Sequence, residues 1–262
     1  MEVIIRPTAE AAARLTARLI ADAIRAKPSL VLGLATGRTM ESVYDALARM
    51  NAEEGLDFSG VTTFNLDEYI GLAPENECSY RYYMDRHLFS RINIRRENTH
   101  LPNGAAPDID AECARYEERI LATGGIDFQL LGIGQTGHIG FNEPLSAMRS
   151  RTRAKALTPQ TIEQNAALFP RPELMPRRAI TMGVGTILDS KRCLLLATGT
   201  EKAGVIAKAV EGPVTSMISA SALQLHPKCN VIVDEDAAGR LENREYYRWI
   251  FANEPEWELY RD

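Results

Sequence analysis

The apolar residues of this chain fall into two patterns. Short, mainly apolar runs stand at residues 30–35, 61–64, 128–133, 179–182, 193–197 and 231–233. Between them, apolar positions recur at helical spacing. Ile109, Cys113, Tyr116 and Ile120 form one such stripe, stopped by Gly124-Gly125, and Val43, Leu47 and Met50 form another. A run without alternation is buried on both faces, and runs separated by helices predict a parallel sheet covered on both sides. The expected fold is a doubly wound α/β architecture, mostly parallel and Rossmann-like, forming a single domain over residues 1–262. The Pro-rich stretch 159–176 is the one long loop the pattern predicts. It is too short and too charged to separate a pair of domains, so it is expected to be a mobile lid over residues 158–178.

In such folds ligands bind beyond the carboxyl ends of the strands. The residues just after each run are therefore informative. Thr36-Gly37-Arg38-Thr39 follows the first, Asn65-Leu66-Asp67-Glu68-Tyr69 the second, and a long loop from Gly134 through His138 to Glu143-Pro144 the third. Gly183-Val184-Gly185-Thr186 and Thr198-Gly199-Thr200-Glu201-Lys202 follow the next two. Glycines, hydroxyls and ionisable groups thus converge on one rim. The Thr36–Thr39 turn sits between strand and helix, where free N–H groups attract an anion such as phosphate. Thr198-Gly199-Thr200 repeats the arrangement, with Lys202 close behind. Neither turn is a Walker loop or GxGxxG, which excludes ATP and dinucleotides as the expected ligands, and no cofactor is implied.

Asp67 and Glu68 are neighbours, so one carboxylate can face a cleft while the other serves the scaffold. A solvated acidic turn is the plain alternative. His138 and Glu143 lie five apart among glycines that let the loop fold them together as an acid/base pair, with Asn142 and Pro144 expected to stiffen it. Arg149, Arg151, Arg153 and Lys155 recur at period 2, so on a strand all four share a face, turned to water or to an anion. Together these features suggest proton transfer on a small sugar phosphate.

Composition narrows the reading. The chain has 262 residues and a formal net charge of −5, a balance that argues against disorder and against general nucleic-acid binding. No uncharged apolar run reaches membrane-spanning length and no secretory signal is read, so no membrane partner is expected. Four scattered cysteines without a CxxC pair are expected to be reduced thiols in a cytoplasmic protein. His226 and Cys229 have only a loose ligand spacing, and no metal site is expected.

Several longer motifs then carry a resemblance. Thr63-Phe64-Asn65-Leu66-Asp67-Glu68-Tyr69, Gly137-His138-Ile139-Gly140-Phe141-Asn142-Glu143-Pro144, Ser150-Arg151-Thr152-Arg153, Gly183-Val184-Gly185-Thr186 and Leu225-His226-Pro227-Lys228 resemble, in order, the glucosamine-6-phosphate deaminase (isomerase) family. The similarity is collinear from about residue 3 to residue 235. It implies conversion of glucosamine 6-phosphate and water to fructose 6-phosphate and ammonia. It also implies roles: Asp67 as the enolisation base, His138 as the ring-opening acid/base, Glu143 as its carboxylate partner, and Lys202 with Thr36, Gly37, Arg38 and Thr39 around the phosphate or sugar. Ser146, Arg153 and Lys155 match residues that in some members bind N-acetylglucosamine 6-phosphate as an activator. Members range from monomers to hexamers, so a homo-oligomer is compatible with the resemblance.

Three positions depart from the family pattern. Thr136 stands where the family has Asp or Asn beside the histidine, and Ala167 where many members have a phosphate-contacting arginine. Arg38 and Met40 replace a small residue and a proline, so Arg38 is expected to supply the missing phosphate contact. The alternatives are a galactosamine-6-phosphate isomerase, a 6-phosphogluconolactonase, or a non-catalytic sugar-phosphate sensor. The Asn65–Tyr69 motif counts against the lactonase, which needs no base aimed at carbon 2.

Overall fold

Five of the six apolar runs become strands of one sheet. In the computed structural model, which describes residues 1–167 and 169–261, the chain runs β1 (Glu2–Arg6), α1 (Ala9–Ala26), β2 (Val31–Leu34), α2 (Arg38–Glu54), β3 (Thr62–Asn65), β4 (Asp67–Tyr69), α3 (Tyr80–His87), β5 (Thr99–His100) and α4 (Ile109–Ala122). It continues through β6 (Phe128–Leu131), β7 (Arg153–Ala156), α5 (Pro159–Ala166), β8 (Arg178–Thr181), α6 (Val184–Leu188), β9 (Cys193–Ala197), α7 (Ala203–Val210), β10 (Cys229–Asp234) and α8 (Arg244–Asn253). The main sheet has seven strands in the order β1-β10-β9-β6-β2-β3-β5, each pair parallel. Its central strands are buried along their whole length, as uninterrupted apolar runs require.

The chain moves outward from β2 to β3 and β5, then returns to lay β6 between β2 and β9. The order reverses between β2 and β6, so the loops leaving those strands diverge and open a crevice. The glycine turn at residues 36–37 and the loop after β6 border this switch point.

The sixth run, 179–182, does not join that sheet, contrary to the pattern, but belongs to a second one. There β8 pairs antiparallel with both β4 and β7. Burial on both faces follows because Ala179 packs into a small cluster with Tyr69, Phe141, Leu157, Phe169 and Met175, while Met182 joins the main core. The run of basic residues is corrected too. Only Arg153 and Lys155 lie on a strand; Arg151 lies outside β7, paired with Glu117 (2.7 Å) and Asp189 (2.5 Å).

The stretch expected as a loop contains a helix, α5, whose N-terminus is capped by the Thr158 hydroxyl with Pro159 in its first turn. Residue 168, within the expected lid, lies outside the described residues. Strand β1 is not among the six runs. Val3, Ile4 and Ile5 are buried against β10, and the Trp257 indole N–H donates to the Glu2 carboxylate at 3.1 Å.

Candidate active site

The second apolar run delivers the acidic pair to the crevice. The Leu66 N–H makes the final contact with β2, to the Leu34 carbonyl at 3.1 Å, and Asp67 comes immediately after. The paths of the carboxylates then diverge. Glu68 accepts from the backbone N–H groups of Tyr69 (2.9 Å), Tyr80 (2.9 Å) and Arg81 (3.0 Å), so it caps the start of α3. Asp67 is only 6% exposed, and among the described residues no donor reaches its carboxylate. Burial, and next the charge of Glu68, push its pKa up to about 8. A carboxylate so poorly solvated is a strong base once it ionises.

The loop after β6 brings His138 and Glu143 together, as its glycines suggest. Nδ1 of His138 lies 3.1 Å from Glu143 Oε2 and 2.7 Å from the Thr136 hydroxyl, which itself donates to Glu143 at 3.3 Å. These partners assign the proton of the neutral ring to Nδ1 and leave Nε2 as its basic atom. Burial alone would raise the Glu143 pKa. The hydrogen bond and charge of His138, with donors from Thr161 and Thr158, hold it down to about 2. Thr161 Oγ1 donates at 2.5 Å and Thr158 Oγ1 at 3.2 Å, so α5 grips the carboxylate from the side opposite His138.

Two devices bind this loop to the strand beside Asp67. Phe141 N–H donates to Thr181 Oγ1 at 2.9 Å, and Thr181 stands opposite Asp67 in the β4–β8 register. Asn142 donates to the carbonyls of Ile139 (2.9 Å) and Met182 (2.8 Å), the stiffening role expected of it. Gly140, at φ +56°, is where the loop passes the base. A Cβ there would stand 2.9 Å from Thr181 Oγ1 and 3.4 Å from Asp67 Oδ2. The Phe141 ring lies 6.3 Å from that of His138 and 5.7 Å from that of Tyr69.

The anion-binding features are partly as expected. Helix α2 starts at Arg38 after Gly37 at φ +122°, with no side chain capping its first turn. Lys202 reaches across the rim to the Ile133 carbonyl at 2.9 Å, beside the start of the His138 loop, and burial lowers its pKa. Arg38 instead lines a recess of about 230 Å³ with Thr39, Ser42 and Thr198, and Lys202 does not line it. The second glycine turn is already filled: Gly199 N–H donates to the Asp234 carboxylate at 3.0 Å. His226 is structural. Its ring bridges the Ser190 carbonyl (2.7 Å) and the Lys228 N–H (3.0 Å).

Arg153 donates to Asn142 Oδ1 at 3.0 Å and to the Ser146 hydroxyl at 3.1 Å, while Lys155 is half-buried on the same strand. Thr158, Thr161, Thr181, Tyr80 and Ser42 are not singled out by the sequence. Only Thr158 carries a readable signal, as a cap before a proline.

A buried carboxylate next to the loop that carries a histidine–carboxylate pair, at the switch point of a doubly wound sheet, is an arrangement suited to acid–base chemistry. A family model described as glucosamine-6-phosphate isomerases/6-phosphogluconolactonase matches residues 6–232. The chain is 50% identical over 250 residues to the glucosamine-6-phosphate deaminase of Hahella chejuensis, covering 95% of each. It is 51% identical over 252 residues to that of Shewanella loihica, covering 96% of this chain and 94% of the relative. Among solved structures, a monomeric glucosamine-6-phosphate deaminase superposes with a TM-score of 0.90 at 45% identity, covering 92% of this chain and all of that one. The 6-phosphogluconolactonase of Trypanosoma brucei, at 20% identity and a TM-score of 0.70 over 92% of this chain and 98% of that one, shares the fold. The chain belongs to the glucosamine-6-phosphate isomerase/6-phosphogluconolactonase family.

Proposed function

We propose that this chain is a glucosamine-6-phosphate deaminase, converting glucosamine 6-phosphate and water to fructose 6-phosphate and ammonia. Its full-length likeness to deaminases at about half identity supports this over the lactonase, for which only the fold is shared. The closed sugar has no acidic C–H, so the ring opens first. His138 Nε2 takes the proton from the anomeric hydroxyl and returns one to the ring oxygen as the C1–O5 bond breaks. Glu143 and Thr136 hold the imidazolium between the two transfers. Asp67 then removes the proton on carbon 2; the electron pair forms a C1–C2 double bond while the C1=O pair moves onto O1, which takes a proton from the neighbouring ammonium group. The same carboxyl returns the proton to carbon 1, leaving an imine at carbon 2. Water adds there and ammonia leaves. Fixing the sugar against one base that serves both carbons supplies much of the rate.

The phosphate is placed at the uncapped start of α2, with Thr36, Gly37, Arg38 and Thr39, and against Lys202. Residues 158–178 are proposed as a cover that keeps water from the enediol stage, and Ser146, Arg153 and Lys155 as the place of an anionic effector. A cytoplasmic setting fits the buried thiols of Cys113, Cys193 and Cys229 and a phosphorylated substrate. No helix of the described residues is long and apolar enough to cross a membrane.

The observation that carries the reading is the buried, unpaired carboxylate of Asp67 beside Gly140. Ammonia release from glucosamine 6-phosphate tests it. Turnover in the parent chain that falls by orders of magnitude in Asp67→Asn, with ligand binding retained, is the expected result. Binding without any ammonia release in the parent would point to a sensor instead.

A further inference from the structure

The mechanism uses Asp67, His138 and Glu143 at one end of the crevice and the 36–39 turn with Lys202 at the other. It leaves unused a pair of phenols that lies between the two ends. Three residues beyond Tyr80 on α3, the Tyr83 hydroxyl donates to the Gly37 carbonyl at 2.9 Å, so this helix is fastened to the 36–37 turn. Tyr80 donates to the Tyr69 hydroxyl at 3.2 Å, and the Asn165 amide of α5 donates to that same oxygen at 3.1 Å. Tyr69 thus receives two hydrogen bonds, and its own proton meets no acceptor among the described residues. The Tyr80 ring is stacked on Phe141 (6.1 Å, 17°) and packs against Tyr69 at 4.8 Å. Both phenols lie near enough to Asp67 for its charge to hinder their ionisation.

We propose that Tyr80, backed by Tyr69, is the specificity-determining residue that reads the configuration of the hydroxyl on carbon 4 of the sugar. The inference rests on the deaminase reading. A sugar held with carbons 1 and 2 at Asp67 and its phosphate at the Thr36 turn lays its middle carbons along whatever joins those points. Tyr80 stands on the helix fastened to the 36–37 turn, and its phenol bonds that of Tyr69, two residues from Asp67 on β4. Carbon 4 is two bonds from carbon 2 and two from the phosphate-bearing carbon 6, which puts it at mid-span. In the gluco configuration its hydroxyl meets the phenol pair. In the 4-epimer the hydroxyl projects to the other side and leaves the Tyr80 oxygen without a donor and the Tyr69 proton without an acceptor, which a site built to bond a hydroxyl discriminates against.

The test compares kcat/KM for glucosamine 6-phosphate and galactosamine 6-phosphate in the parent chain, in Tyr80→Phe and in Tyr69→Phe, by ammonia release. Tyr80→Phe keeps the ring and its stacking. It is expected to lose roughly tenfold or more on the gluco sugar and almost nothing on the epimer, so the preference contracts by that factor. Tyr69→Phe, which leaves Tyr80 in place, is expected to contract it less, and it serves if Tyr80→Phe melts early. A preference unchanged in the folded variants overturns the proposal, as does an equal fall on both sugars, which would mark a structural effect on the base. Failure of the parent to release ammonia from either sugar sinks the deaminase reading, and this proposal with it.

Discussion

Asp67 and Thr181 stand opposite each other on β4 and β8, and the Thr181 hydroxyl accepts the Phe141 N–H at 2.9 Å. The strand that bears Asp67 is thereby tied to the loop that bears His138 and Glu143. Gly140 is the point of closest passage, with Thr181 Oγ1 2.9 Å and Asp67 Oδ2 3.4 Å from where a Cβ would stand. Gly140→Ala is expected to cost about 1–2 kcal/mol in stability for its left-handed backbone. It should also lower kcat by more than it raises KM, because the base is displaced while the phosphate end is untouched. Steady-state kinetics alongside urea denaturation checks both, and unchanged kcat in a folded variant would separate Gly140 from the site.

Ionisation of Asp67 sets a pH dependence with a definite sign. Its pKa is pushed up to about 8 from 3.8. On the proposed role the free enzyme gains its base as pH rises, so kcat/KM should climb through pH 8 and level off above it. Stability moves the other way. Between those two values the unfolded chain has lost a proton that the folded chain keeps, so stability falls with rising pH by up to about 1.4 kcal/mol per unit. Asp67→Asn removes that slope. Denaturation at pH 5 and pH 8 should show the variant gaining on the parent as pH rises, and parallel curves would refute the assignment.

Thr136 stands where a carboxylate or amide is expected, yet its hydroxyl bonds both His138 and Glu143. Thr136→Val keeps the shape and removes both contacts. A loss of about tenfold or more in kcat/KM is expected, since two hydrogen bonds go and one of them is to a carboxylate. Indifference to the change would mean that Glu143 alone orients the ring.

Arg153 is already engaged by Asn142, which itself braces the catalytic loop. An anion that draws Arg153 away would loosen that brace. N-acetylglucosamine 6-phosphate is accordingly expected to change the saturation curve, and Arg153→Gln to abolish the change. Hyperbolic kinetics, insensitive to the acetylated sugar, would remove the effector role.

Amide hydrogen exchange addresses the cover. Protection across the described positions of residues 158–178 should rise when a non-reacting sugar phosphate binds, and equal protection with and without it would count against closure.

The parallel core was legible because a strand buried on both faces must be written as an unbroken apolar run. The sheet that β8 joins was not legible, since such a run reports burial and never a partner. Likewise, neither Asp67 nor Glu68 carries a mark of its role. The choice is made by the start of α3, twelve residues on, whose N–H groups claim Glu68. The glycines around His138 did disclose its meeting with Glu143, because that bend needs φ values other residues avoid. The turn at Gly199 looked equally suited to phosphate, but Asp234, from a distant strand, occupies it. Helix α5 was hidden by its prolines, although Thr158-Pro159 is a normal way for a helix to begin.

The grip of α5 on Glu143 has one more consequence. Thr158 and Thr161 supply three donors to a single carboxylate oxygen. Were that helix to swing outward as the proposed cover, the oxygen would lose all of them at once: its appetite for a proton would grow, and the carboxylate would lose the anchors that fix its angle to the imidazole. On that proposal the open form would be poorly set for ring opening, with no separate safety catch needed.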